Sequence, residues 1–423
     1  MKSVRTNTKK VLIFSTAYLP SIGGAEIALN EITQRFPEYE FRLVTAREKP
    51  SYTKEEKIGN VTVYRIGFGK SWDKLVLPLL GTFFVLKMLR SWEPDFFWGM
   101  MATYASGIPY IVNIIRRNKR IPIVLTLQEG DSEVHIENKS FGIVGFIWRI
   151  CMLPVMFLLK RGKGGGMIQL AWRLALPRTD VVQVISDYLA ERVRHYGYTG
   201  DIEVVPNGVA VDAFRKGISD NEKAQIRQSL QLPFSAKVLV NVSRLVTKNN
   251  VSTTIEMLRY LSEDIHLVIL GDGELRQELV EQSTKLQLQE RVHFVGNVTN
   301  ERVPAYLAIA DIFVRTPFSE GFGIAFIEAM AAGIPVVTSP VGGITDFVVD
   351  PRSNLGKVAP TGVFADPDNP RSIASAISML LREDALREKI ITDARQIVIE
   401  KYDWERVAGM MERVFQKATR NKM

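Results

Sequence analysis

Two carboxylates eight positions apart, Glu320 and Glu328, flank a glycine-rich turn in the stretch Phe318-Ser319-Glu320-Gly321-Phe322-Gly323-Ile324. The apolar run before it ends at Arg315 and reads as a strand; Gly323 to Ala332 reads as a helix. The first N–H groups of a helix lack intrahelical acceptors, so the amides of Gly321, Phe322, Gly323 and Ile324 form a seat for an anion. Glu320 lies in the loop beside that seat, where it can accept hydrogen bonds from hydroxyl groups. Glu328 lies about one and a half turns into the helix, at a reach suited to a vicinal diol. A lone pair of acids is more often a solvated helix end. Two glycines and a following Gly333-Ile334-Pro335-Val336-Val337 strand argue for a binding site instead.

Such a site needs strands that end at it. The first half of the chain alternates short apolar runs with helical patterns: Val11–Ser15, Phe41–Thr45, Val61–Ile66, Asp95–Trp98, Ile121–Leu127, Val181–Ile185 and Ile202–Val205. Such alternation predicts a parallel sheet covered on both faces. The pattern restarts after the turn Pro206-Asn207-Gly208 with Val238–Val242, Leu267–Leu270, Val292–Val295, Ile312–Val314, Pro335–Thr338 and Gly362–Phe364. The expected class is α/β, with two Rossmann-like doubly wound domains at 1–205 and 206–400 and a terminal helix within 401–423.

At 423 residues the chain is long enough for two to three domains, and 46% hydrophobic with 24% charged residues is ordinary globular composition. One cysteine, Cys151, excludes an intramolecular disulfide framework, and His135, His195, His266 and His293 form no His-x-x-x-His pair; all four read as structural. The charge is uneven. Residues 1–200 carry 28 Lys and Arg against 17 Asp and Glu, whereas residues 201–423 carry 26 against 29. An anionic partner should therefore meet the first half. The start resembles a signal peptide, but Gly23-Gly24-Ala25-Glu26 opens an amphipathic helix without a small-residue cleavage site, so a first strand, a glycine turn and a helix fit better. The segment Phe141–Leu159 is nearly long enough to span a bilayer, yet Arg149 and Pro154 interrupt it and Lys160, Arg161 and Lys163 follow. It reads as an interfacial contact or as a buried helix. The apolar stretch Leu75–Met88 and the cluster Arg116, Arg117, Lys119 and Arg120 favour the interface.

Taken in order, several short motifs resemble those of the family 4 glycosyltransferases, over nearly the whole chain. Glu320 and Glu328 match that family's E-x7-E pair, and Gly23-Gly24-Ala25-Glu26 its first glycine turn. Val205-Pro206-Asn207-Gly208-Val209 matches the segment joining its domains, and Asn241-Val242-Ser243-Arg244-Leu245 with Lys248 its basic donor site. Gly271-Asp272-Gly273 matches the end of its nucleotide strand, Phe294-Val295-Gly296 the base-contacting turn, and Tyr402-Asp403-Trp404 the entry to a helix that packs back on the first domain. The resemblance implies the GT-B fold, with two domains facing a cleft, and a retaining hexosyltransferase that uses a nucleotide-diphosphate sugar. Glu320, Arg244 and Lys248 would be catalytic. Gly23, Gly24, Gly271, Asp272, Val295, Gly321, Phe322, Gly323, Ile324 and Glu328 would hold the donor, without a metal or other cofactor. Arg244, Lys248 and the glycine-turn amides would stabilise the departing diphosphate, which itself takes the acceptor's proton.

Two departures stand out. A Lys-Gly pair is usual where this chain has Lys248-Asn249-Asn250, and a histidine is usual where it has Gln128. Gln128 cannot take a proton at neutral pH, and Glu129 or Asp131 beside it would bind acceptor or donor hydroxyls or cap the next helix. With Asn207 these are the candidate acceptor or sugar contacts. The favoured reading is a transferase acting on a lipid-linked or cell-envelope glycan, cytoplasmic and peripheral on the inner face of the membrane through the basic first half. A soluble transferase making a small-molecule glycoside and a non-catalytic nucleotide-sugar binder remain alternatives. A nucleic-acid-binding protein would have no use for the paired glutamates.

Overall fold

In a computed structural model, the structure describes residues 8–20, 23–101, 103–128, 175–354 and 358–420. Glu129, Asp131, His135, Cys151 and the Phe141–Leu159 segment lie outside the described residues. The chain divides into two compact units, Met1–Pro206 with Ala408–Met423, and Asn207–Val407.

The first unit holds an eight-stranded sheet: β1 Lys9–Phe14, β2 Tyr39–Ala46, β3 Glu55–Ile58, β4 Val61–Ile66, β5 Phe96–Met100, β6 Ile123–Leu127, β7 Val181–Val184 and β8 Ile202–Val204, in the order β3-β4-β2-β1-β5-β6-β7-β8. All neighbours are parallel except the β3–β4 hairpin, which Gly59 (φ +55°) and Asn60 turn. The order reverses between β1 and β5, which places the loops after these strands at a topological switch point. Leu12, Phe14, Val44 and Phe97 face one layer, under Leu77 and Val85 of the helix Asp73–Met88 and Ile108 and Val112 of the helix Gly107–Ile115. On the other face the terminal helix, Trp404–Arg420, seats Phe415 among Phe36, Tyr39, Phe96 and Trp98 at ring-centroid distances of 5.4, 5.7, 5.2 and 5.0 Å. Val407, Met411, Val414, Phe415 and Ala418 are all buried, the spacing of one helical stripe. Lys417 fastens its end to Asp201 (2.7 Å) and Glu203 (2.9 Å). This helix begins in one compact unit and ends in the other, the division between them falling at 407/408.

The second unit has six parallel strands: β9 Lys237–Val242, β10 Ile265–Leu270, β11 Val292–Gly296, β12 Ile312–Arg315, β13 Val336–Thr338 and β14 Val363–Phe364, in the order β11-β10-β9-β12-β13-β14. Its switch point lies between β9 and β12, so the loops that follow these two strands leave the sheet side by side. Val205–Val209 is followed by a clamp on the start of the terminal helix. The Val209 N–H donates to Tyr402 O (2.8 Å), and a Cβ at Gly208 would meet the Trp404 ring at 2.6 Å.

Candidate active site

The loop after β9 carries Arg244, which is exposed, and Lys248, which is half-buried in the single turn Thr247–Asn249. The loop after β12 carries Glu320. Lys248 O accepts from Phe318 N–H at 2.8 Å, so the two loops are tied through their backbones. Glu320 Oε2 accepts from Arg315 Nη2 at 2.5 Å and Oε1 from Gly321 N–H at 3.0 Å. Burial pushes this carboxyl up, but the charges of Arg315 and Lys248, the Arg315 hydrogen bond and the Gly321 amide outweigh it and hold Glu320 below its usual range. Gly321's amide is therefore engaged by Glu320 itself, where an anion seat would leave it free. The N–H groups of Ile324 and Ala325, at the start of the helix Ile324–Ala332, have no intrahelical acceptor. Gly323 precedes them at φ +93°, a conformation that glycine adopts without a Cβ penalty. Phe322 gives only its backbone to this loop, because its ring is buried edge-on to Phe347 (5.3 Å) and tilted against Tyr402 (5.5 Å).

Glu328 is one turn further along the same helix. Among the described residues it has no hydrogen bond or ion pair, and burial alone pushes its carboxyl up to about 7. The second unit thus has one carboxylate already satisfied by the protein and one that is not.

The strand ends beside these loops are also built around backbone crossings. Gly271 (φ +132°) passes so close to β9's extension that a Cβ would lie 2.0 Å from Ser243 O. Gly271 N–H donates to Gly296 O (2.8 Å) and Leu245 N–H to Asp272 O (3.0 Å), while the exposed Asp272 carboxylate accepts from Gly273 N–H (2.8 Å). Val295 is half-buried in β11. Arg244, Lys248, Gly271, Asp272, Glu320, Gly321, Phe322 and Gly323 thus lie in loops that follow the strands of one sheet, with Val295 in β11 and Ile324 and Glu328 on the helix after β12. Asn207 is buried in the same unit, beside Gly208 and the start of the terminal helix.

Gly23 and Gly24 belong to the first unit. They open the helix Gly24–Gln34 after β1, and the Glu26 carboxylate folds back over Gly23. Burial pushes Glu26 up, against hydrogen bonds from its own backbone and from that of Gly23. Gln128 immediately follows β6. Two histidines bond each other: His266 Nδ1 and His293 Nε2 are 3.0 Å apart across β10 and β11. Among the described residues no group of three or more His, Cys, Asp or Glu is placed to hold a metal ion.

Arg315 is the functional candidate that the motifs do not reveal. It closes an apolar strand, and its partners Asn249 and Glu320 are assembled only when β9 and β12 become neighbours.

Comparison with known proteins bears on both units. Residues 22–213 match the Glycosyltransferase Family 4 profile and residues 222–397 the Glycosyl transferases group 1 profile. An uncharacterized glycosyltransferase of Methanocaldococcus jannaschii is 31% identical over 51% of this chain and 54% of its own, so the match spans about half of that relative's length. A putative teichuronic acid biosynthesis glycosyltransferase of Bacillus subtilis is 25% identical over 80% of this chain and 75% of its own. The structure of Anabaena HepE in complex with UDP and glucose superposes with a TM-score of 0.73 at 19% identity, over 96% of this chain and 99% of that one, which shows a shared fold. With two doubly wound units and both halves matched by glycosyltransferase profiles, the chain has the GT-B fold and belongs to glycosyltransferase family 4.

Proposed function

We propose that this protein transfers a sugar, with retention of anomeric configuration, from a nucleotide-diphosphate sugar to a lipid-linked or cell-envelope glycan acceptor. The observation that carries the reading is the loop pair after β9 and β12, tied through Phe318 N–H and Lys248 O, which bears Arg244, Lys248, an ionised Glu320 and the first N–H groups of the helix Ile324–Ala332. The acceptor oxygen forms a bond to the anomeric carbon as the bond from that carbon to the diphosphate breaks. The acceptor's proton passes to the departing phosphate on the same face. Arg244, Lys248 and the helix amides neutralise the charge that builds there, so no metal is required in this scheme. Glu320 holds the sugar and Glu328 a ribose diol. The UDP and glucose in HepE make UDP-sugars the first donors to try. The putative part of the Bacillus relative in teichuronic acid biosynthesis supports a glycan acceptor.

A membrane surface is the second part of the proposal, on the inner face of the cell membrane. Among the described residues no helix is long and apolar enough to cross a bilayer. The helix Asp73–Met88 instead turns Leu79 and Phe83 outward, 65% and 72% exposed, and the neighbouring helix exposes Ile114 and Ile115. Exposed Lys74, Lys87, Arg90, Arg117 and Lys119 lie on and just beyond these helices. Apolar side chains flanked by cations suit an anionic lipid surface.

The test is release of nucleoside diphosphate from UDP-, GDP- and ADP-sugars, with and without detergent-solubilised lipid acceptor, and with Glu320→Ala as blank. Release that needs lipid and vanishes in the variant supports transfer to a lipid-linked acceptor. Lipid-independent release, in which water takes the sugar, removes the lipid from the reading and favours a small-molecule acceptor, and donor binding without release makes the chain a non-catalytic binder. Sedimentation with anionic vesicles, lost in Leu79→Ser/Phe83→Ser, tests the surface; unchanged sedimentation sinks that part.

A further inference from the structure

We propose that Arg315 is the positioning residue of Glu320, and that Asn249 joins it to the loop bearing Arg244 and Lys248, so that the donor-binding loops are set as one unit. This rests on the transferase reading above.

The argument starts at the Lys248-Asn249-Asn250 departure. Asn250 takes up the left-handed conformation (φ +52°) that a glycine would supply at this point, one of the few non-glycine residues that tolerate it. Its side chain is then fully used: Nδ2 donates to Thr316 O (3.0 Å) and Pro367 O (2.7 Å), and Oδ1 accepts from Thr253 Oγ1 (2.7 Å). Asn249 is buried and works in two directions. Its Nδ2 donates to Arg244 O at 2.7 Å, and its Oδ1 accepts from Arg315 Nη2 at 2.9 Å. Arg315 Nη2 also meets Glu320 Oε2. The path runs from the Arg244 backbone through one amide and one guanidinium to the carboxylate. An amide is required at 249, because aspartate lacks the donor and leucine lacks both groups.

Arg315 is 7% exposed, its guanidinium lies 5.3 Å from the Phe326 ring centre, and its buried Nε has no hydrogen-bond partner among the described residues. A buried cation with so few acceptors depends on Glu320 as much as Glu320 depends on it. Arg315 from β12 and Lys248 from the adjacent turn are the cations that act on this carboxyl. Removing Arg315 leaves a part-buried carboxylate with Lys248 and the Gly321 N–H. It then protonates more readily and loses its fixed orientation.

The experiment compares wild type, Arg315→Met, Arg315→Lys and Asn249→Leu in nucleoside diphosphate release from pH 5 to 9. Thermal midpoints are measured in parallel, including Arg315→Met/Glu320→Gln. The expected result for Arg315→Met is a kcat loss of about 30-fold, a donor KM changed less than about threefold, and an acid limb moved up by about one pH unit. Arg315→Lys recovers about tenfold of this, and Asn249→Leu falls between. The midpoint lost in Arg315→Met is largely regained when Glu320→Gln is added. Unchanged kcat and acid limb in Arg315→Met overturn the proposal. Equal losses in the Met and Lys variants with an unmoved limb overturn it too, as does a double variant no more stable than Arg315→Met. If wild type turns over no donor, the transferase reading fails, and the thermal comparison alone decides the relay.

Discussion

Glu320 and Glu328 are eight residues apart and differ in almost everything physical. Glu320, in the loop after β12, has its oxygens occupied by Arg315 and Gly321, and is ionised well below neutral pH. Glu328, on the helix, has no such partner and is pushed up to about 7. The fold has thus supplied one carboxylate with a counter-ion and left the other without one among the described residues. Burying an acid without a partner costs stability, and the cost falls on its ionised form. Identical residue types in one motif can therefore do opposite jobs, and their neighbours decide which.

The largest effect should follow from Glu320→Gln. It breaks a buried pair and strands Arg315, which costs about 3–5 kcal/mol, and it should cut turnover by about 10²–10³. Urea unfolding and steady-state release measure the two. A stability loss without a turnover loss would reduce Glu320 to a scaffold residue. Next comes Gly342→Ala. A Cβ there would lie 1.9 Å from Glu320 O at φ +52°, so the loop holding Glu320 must move, at about 2–4 kcal/mol. Gly343 N–H, which donates to Glu320 O at 3.1 Å, should then lose its hydrogen-exchange protection.

Glu328→Gln should act in the other direction. A folded-state value of about 7 against an ordinary 4.5 means the fold favours the protonated form. The penalty is absent below about pH 4.5, grows between 4.5 and 7, and is complete above 7. The substitution should therefore stabilise the protein by about 2 kcal/mol at pH 8, after a discount for partial exposure, and leave it unchanged at pH 4. Melting curves at the two pH values check this; equal shifts at both would remove Glu328 from the comparison. The smallest effect concerns affinity. The ionised carboxylate is the better acceptor for diol hydroxyls, so donor affinity should rise about three- to tenfold from pH 6 to 8. Calorimetry with Glu328→Gln should give a flat profile.

The order of elements was legible because parallel strands buried on both faces leave apolar runs such as Val11–Phe14 and Val238–Val242. The β3 strand is not legible, since Glu55-Glu56-Lys57-Ile58 lies at a sheet edge, alternately exposed and half-buried, and has no apolar run. The strand, glycine turn and helix from Arg315 to Ala332 were legible because they are contiguous, but the capture of the Gly321 amide by Glu320 was not. Arg315 with Asn249 was not, because 66 residues separate them and only sheet order brings them together. Spacing also cannot say which of two glutamates has a cation beneath it. Gln128 marks a strand end in either reading, and Glu129 and Asp131 lie outside the described residues.

The terminal helix sets a schedule for making the protein. Phe415 completes a cluster with Phe36, Tyr39, Phe96 and Trp98, all synthesised long before it. All of Asn207–Val407 is made in between, which takes about 10–40 s at 5–20 residues per second. During that interval the nascent first unit exposes an aromatic face on its sheet while the second is free to fold. Chaperones acting on the nascent chain should therefore engage the half that is translated first.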